Sequence, residues 1–371
     1  MNADLFRRRP AGREENTLPL PFAERELPAG RHQFHKERLM AQIHEDLRAG
    51  QGDAGPAPAR AARPRNPFLR QAILIPVGAF ALAGALAAGF LTYVDRGAAD
   101  GTGSTIATGP AMTTRIGTAD ARGTAQLLDR ISLAAASAGP GVQVRPDQFI
   151  YIGSKTADTY VKIVDDKSSL VSQELHMRHT WNSPDGRKGW LIEPGATGPG
   201  GVTLDRPEEE GKAVQPSLNA PSHDYLAGLP TDPDVLLKRI YEETRGMGRS
   251  PDQQAFTTIG DLLRGTYAPA ELTAALYRTA AKIPGVVTVD DAVDAAGRHG
   301  IAVARLDEET GRREEWIFDR ETLVFLGERV VQVRGSSGED GLIKEGTVVF
   351  TNAVMSRSVV DRMKEIPPSA G

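Results

Sequence analysis

Chemistry at a protein site needs side chains that can donate, accept or coordinate, held at a fixed spacing. The histidines are the first candidates in this chain. His176 and His179 stand three apart in a run of strand-forming residues. On a strand that spacing sends them to opposite faces, so the two cannot share a metal without ligands from elsewhere. His223 beside Asp224 falls in a loop, and His299 precedes Gly300 at a turn. His32, His35 and His44 have no carboxylate cluster around them. The acidic pairs Asp165/Asp166, Asp290/Asp291 and Glu308/Glu309 fall at or beside expected strand ends. Solvated surface explains such pairs better than general acid–base work. Residues 195–201 (GATGPGG) have the glycines of a phosphate loop but not its Gly-Lys-Ser/Thr ending, and read as a flexible loop. Neither a G-x-S-x-G elbow nor an H-E-x-x-H motif occurs. The chain has no cysteine, which excludes disulfides, thiolate metal sites and a Cys nucleophile. The expectation is a protein that is not an enzyme, with no catalytic residues, no cofactor and no metal site.

Four aromatic residues suggest binding instead. Tyr151, Trp181, Trp190 and Trp316 each sit in or at the end of a strand among apolar neighbours. Core packing and cross-strand pairing account for such residues. The sharper reading is that these four line one concave face that holds an apolar ligand.

The elements that must position these residues begin with a long apolar run. Residues 72–94 contain no charge over 23 positions. As a helix they span about 34 Å, enough to cross a hydrocarbon core of about 30 Å. Arg60, Arg63, Arg65 and Arg70 precede the run, while Asp95, Arg96 and Asp100 follow it. The excess of arginine on the N-terminal side places that side in the cytoplasm and the C-terminus outside. Residues 1–71 carry a net charge of +4 and residues 95–371 a net of −8. A balance this close to neutral gives no signal for nucleic acid.

The cytoplasmic arm, 1–71, is polar and proline-rich at first. It contains one amphipathic helix at about 31–48, with Leu39, Met40, Ile43 and Leu47 in a stripe. One helix cannot bury its own stripe, so these residues are expected either to dock on a partner or to lie on the membrane surface. Residues 95–118 are rich in Gly, Thr and Ala and read as a flexible tether.

Residues 119–371 read as one extracytoplasmic α+β domain. A helix over about 120–137 comes first, then strands over 148–155, 160–165, 171–181 and 188–193. The Asn182-Ser-Pro-Asp-Gly186 stretch has turn chemistry between the last two. A helical insertion at about 231–283 holds three helices, the first capped by Asp232 with Pro233 at its first position. Strands return over 286–290, 300–306, 314–318, 323–333 and 347–354. Short turns between consecutive strands favour an antiparallel, strongly curved sheet against which the first helix packs.

Several stretches carry a resemblance. They are Arg145-Pro-Asp-Gln-Phe-Ile-Tyr151, Trp181-Asn-Ser-Pro-Asp-Gly186, Gly228-Leu-Pro-Thr-Asp-Pro233, Ala281-Lys-Ile-Pro-Gly285 and Glu315-Trp-Ile-Phe-Asp319. Across most of its length the chain resembles a family of single-pass membrane proteins of actinobacteria, often encoded beside extracytoplasmic-function sigma factors. In its order of elements the outer domain is distantly similar to the lipoprotein-carrier-like half-barrel, a fold also used by a periplasmic regulator of an anti-sigma factor. The resemblance implies no catalytic residue. Two interaction-capable parts on opposite sides of a single span point to a sensor or regulator, whose expected partners are the lipid bilayer, a cytosolic sigma factor or other regulator, and an envelope or lipid ligand. A carrier-like lipid- or lipoprotein-binding module anchored to the membrane and an exported enzyme of unrecognised type are the other two readings.

Overall fold

The computed structural model describes residues 73–75, 106–137, 143–164, 167–206, 208–209, 212–335 and 341–368. The arm 1–71, with Leu39, Met40, Ile43 and Leu47, lies outside the described residues, as do residues 76–94 and 95–105. Within the expected span, Ile73–Ile75 is described and forms a short strand, β1. That differs from the helix expected there. Its Ile-Leu-Ile sequence favours extended backbone, and it pairs with the strand that carries Val161–Ile163. Among the described residues no helix is long and apolar enough to cross a membrane.

The domain is α+β, built on a large curved antiparallel sheet, as expected. Its strands are β2 (Thr108–Pro110), β3 (Ala119–Asp120), β4 (Phe149–Val164), β5 (Lys167–Gln173), β6 (His176–Asn182), β7 (Gly189–Ile192) and β8 (Val202–Thr203). A separate pair, β9 (Glu208–Glu209) and β10 (Lys212–Ala213), follows. The second half supplies β11 (Val286–Val293), β12 (His299–Asp307), β13 (Arg312–Phe318), β14 (Phe325–Gln332) and β15 (Val348–Val360). The hydrogen-bonded order is β3-β11-β12-β13-β14-β15-β4-β6-β7-β8. Its central seam joins β15, near the C-terminus, to β4 in the first half of the domain.

Local chemistry explains the connections. Between β6 and β7, Asp185 accepts from Ser183 Oγ at 2.6 Å and from the Arg187 amide at 3.0 Å, and Gly186 takes the positive φ that closes the turn. Between β13 and β14, Asp319 accepts from the Glu321 and Thr322 amides. Two strand expectations change. The runs 148–155 and 160–165 form one strand, β4, because the polar residues between them find partners in the sheet. Thr156 Oγ1 donates to Thr351 O at 2.9 Å, and Thr159 Oγ1 to Val348 O at 2.6 Å. The run 171–181 instead divides into β5 and β6, which flank β4 separately.

Five helices complete the domain among the described residues: α1 (Thr124–Ala136), α2 (His223–Ala227), α3 (Pro233–Glu243), α4 (Pro251–Gly265) and α5 (Ala270–Ala280). Asp232 caps α3, accepting from the Asp234 and Val235 amides, and Ser250 caps α4 through the Gln253 amide. The helices share one core with Val303, Trp316, Phe318 and Phe325 of the sheet. The indole of Trp316 stacks on Phe256 of α4 with ring centroids 3.8 Å apart. The first helix packs chiefly on α5 rather than on the sheet; Ser132 Oγ donates to Ala274 O at 2.9 Å.

The expected tether also changes. From residue 106 onward it is a strap bound to the sheet. The Met112 amide donates to Ser172 Oγ at 2.7 Å, the Thr114 amide to Gly346 O at 2.8 Å, and the Thr118 amide to Asp290 Oδ1 at 2.9 Å. Its glycine serves close approach rather than flexibility. A Cβ at Gly117 would lie 2.5 Å from the Asp291 carbonyl.

Candidate functional site

Side chains alternate along a strand, so each strand presents one set to the helices and the other to the strap. Cross-strand register extends the helix-facing set across the sheet: Trp316 pairs with Glu328, Glu328 with Asn352, Asn352 with Thr156, and Thr156 with His176. The helices cover this inner face only in part. Over the remainder lies a cavity of about 600 Å³, bounded by α4, by residues 204–206 and 214–226, and by β4, β6 and β13–β15. Ile150, Ile152, Leu204, Leu218, Leu226 and Leu262 supply its apolar wall. Asp261, Glu314, Asn352 and Arg178 are among its polar residues.

Two groups of charges mark this face. The first joins α4 to the sheet. Arg264 donates through Nε to Glu328 at 3.3 Å and through Nη2 to Asp261. Glu314 accepts from Thr257 Oγ1 at 2.6 Å, Gln253 Nε2 at 3.2 Å and Trp316 Nε1 at 3.3 Å. Burial pushes Asp261 up to about 7, with the Glu328 charge adding to it and Arg264 opposing it. Burial likewise drives Glu314 well above the ordinary carboxylate range, with the Glu328 charge adding to it. Glu328 is raised by burial against the pull of Arg264.

The second group lies toward β6. Glu193 accepts from Arg178 Nη1 at 2.7 Å and faces His176 Nε2 at 3.3 Å. Burial alone would raise Glu193, but His176 and Arg178 outweigh it and hold the carboxyl below its usual value. Burial would lower His176, but the bonds to Glu193 and to the Glu174 carbonyl, with the charges of Glu193 and Asp158, leave it raised. Asp158 is pushed up to about 6 by burial and by the Glu193 charge. Among the described residues no group of three or more His, Asp or Glu is placed to hold a metal ion.

The four expected aromatic residues do not line one face. Tyr151, Trp181 and Trp190 are register partners on the outer face, opposite the cavity. Tyr151 and Trp181 form a core with Val360, against which Trp190 and Met363 pack. Trp181 is fully buried, and its indole donates to the Glu365 carbonyl at 2.7 Å. Trp316 is on the inner face under α4. The separation follows from strand parity: an odd or even step along β4 or β13 decides the face, and aromatic composition carries no such information.

The other candidates settle simply. His179 bonds Tyr151 on the outer face and His176 bonds Glu193 on the inner one, as their spacing required. Asp291 and His299 form an exposed pair, and Glu308 and Glu309 meet Arg334 and Arg249 at the surface. Asp165 and Asp166 lie outside the described residues. Sequence reasoning missed Asp261, Glu314 and Glu328. The available signal was Arg312-Arg313-Glu314-Glu315 within a strand-like run, where charges on both faces would need both faces to be covered.

The fold and its cavity define an extended antiparallel α+β domain with an amphipathic pocket between helix and sheet. No family model matches the chain, and no curated protein matches it. Among solved structures it is similar to a chain of the Pseudomonas aeruginosa MucA/MucB complex, at 10% identity and a TM-score of 0.22. That match covers 66% of this chain and 58% of the other, so the chain spans less than two thirds of the matched chain's length.

Proposed function

We propose that this chain is a non-enzymatic, membrane-anchored sensor or regulator. Its domain stands outside the cell and binds an amphipathic ligand in the inner-face cavity. The single span at 72–94, for which Ile73–Ile75 must leave its pairing with β4, joins that domain to the arm 1–71, whose stripe of Leu39, Met40, Ile43 and Leu47 docks on a cytosolic regulator such as a sigma factor. The observation that carries the reading is the cavity of about 600 Å³, with an apolar wall and a few buried charges, the make-up of a ligand pocket. The arginine bias before the apolar run supports the orientation, and the sigma-factor partner rests on the family resemblance.

Two experiments test it. Native mass spectrometry of the full chain, released from detergent, is expected to retain a lipid-sized adduct; a bare chain at every collision energy counts against the ligand. Affinity capture on residues 1–70 is expected to recover a transcription regulator, with altered transcription in a deletion strain. The same cavity also suits a membrane-anchored carrier. In that case the adduct is present, the capture is empty and transcription is unchanged.

A further inference from the structure

The α4 end of the cavity is rich in buried carboxylates. Three carboxylates, from Asp261, Glu314 and Glu328, surround one cation, Arg264, whose Nε and Nη2 already serve Glu328 and Asp261. Directly across the strands from Glu328 stands Asn352. Asn352 is 1% exposed and lines the cavity, and its Oδ1 has no hydrogen-bond partner. A buried amide oxygen left unpaired costs free energy until something donates to it. Asp261 also keeps 23% of its side chain exposed while lining the cavity.

We infer that this end of the cavity binds a cationic nitrogen, the primary ammonium of an amphipathic amine whose chain lies along the apolar wall. An ammonium has three donors and no acceptor, which suits the Asn352 oxygen beside two carboxylates. It would also bring a second positive charge to three buried acids. A phosphate or sulfate head would oppose ionisation of the same acids, and a neutral hydroxyl would bring no charge to favour it. This inference rests on the ligand-cavity reading above.

Other charged groups also stand on this face. On the same face, Arg178 is occupied by Glu193, and Arg305 by the Gln253 side chain. Arg357 donates through Nη2 to the Leu263 carbonyl, while its buried Nε has no partner. His176 sits with Glu193, and Arg312 lines the cavity at the end of β13. Asp158 adds a further carboxyl, electrostatically linked to Arg264. Asp261, Glu314 and Glu328 gain their charge as pH rises, so affinity for an ammonium should rise with pH, and binding should release protons.

The test uses the full chain in nanodiscs of neutral lipid, titrated with octylammonium, octanol and octanesulfonate. The indole N–H resonance of Trp316, assigned with Trp316→Phe, reports from beside Glu314. Octylammonium is expected to bind at least about tenfold more tightly than octanol, the scale of one charge-assisted hydrogen bond. The preference should grow between about pH 5 and about pH 8, below the amine's own titration. Asp261→Asn and Asn352→Ala should each reduce the ratio of octylammonium to octanol affinity. An amine that binds no more tightly than the alcohol, or a preference that both variants leave intact, overturns the inference with the cavity reading still standing. If none of the three probes moves the resonance, the cavity reading itself falls.

Discussion

Glu315 is fully buried on the strap side of β13, with one oxygen 2.7 Å from Arg313 Nε and the other 2.7 Å from Arg329 Nε. The two arginines in turn donate to the strap, Arg313 to Gly117 O and Arg329 to Thr114 Oγ1, both at 3.1 Å. Replacing Glu315 by Gln leaves two buried cations without a counter-charge, which costs about 3–5 kcal/mol. The urea midpoint should fall accordingly at unchanged slope; a fall under about 1 kcal/mol would show that water already screens the triad. His176 and Glu193 set a pH window. The raised His176 contributes stability that is complete below its unfolded value of 6.5 and is lost as pH rises through the folded value. The lowered Glu193 contributes above its unfolded value of 4.5 and loses this as pH falls. The pair therefore stabilises most between those two values. His176→Gln should flatten the stability profile across neutrality, and an unchanged profile there would remove the pair from the account.

At the scale of elements, α4 decides how closely helix and sheet approach. Phe256, Ile259 and Leu263 form its buried stripe, and that spacing was legible. The reason for a glycine in mid-helix was not. A Cβ at Gly260 would lie 2.5 Å from Trp316 Nε1 and 2.9 Å from Glu314 Oε1. On an exposed helix Gly→Ala stabilises by about 1 kcal/mol. Here the added methyl must push the indole off Phe256, and such overpacking costs about 1–3 kcal/mol. Gly260→Ala is therefore expected to leave stability unchanged or lower it by up to about 2 kcal/mol, with a changed near-ultraviolet dichroism from Trp316. A gain of about 1 kcal/mol with an unaltered spectrum would show that α4 sits further from the sheet.

For the whole molecule, both ends of the described domain lie along the sheet's outer face. The strap covers the Arg313–Glu315–Arg329 triad. Near the other end, the Glu365 carbonyl accepts from Trp181, and Lys364 Nζ stands 3.6 Å from the centroid of the Trp190 ring. Truncation after Val360 should uncover both indoles. The expected readouts are a red-shifted tryptophan emission and new access to iodide. Emission identical to that of the intact chain would mean that Trp181 is buried without this segment.

What the sequence determined by itself was local. Cap and turn residues such as Asp232 and Asp185, and the periodicity of the three inserted helices, follow from interactions within a few residues. So does the α+β, antiparallel character of the domain. The opposite facing of His176 and His179 followed from strand geometry alone. Only the tertiary structure decided which face each strand residue joined, because one step of register reverses every side chain. That choice parted Trp316 from Tyr151, Trp181 and Trp190, and gathered Asp261, Glu314, Glu328 and Asn352 from three strands and a helix. It also turned a Gly/Thr/Ala-rich stretch into a bound strap, since small residues allow close approach as readily as freedom. Burial, which long-range contacts create, is what turns those acids from ordinary surface carboxylates into a candidate site.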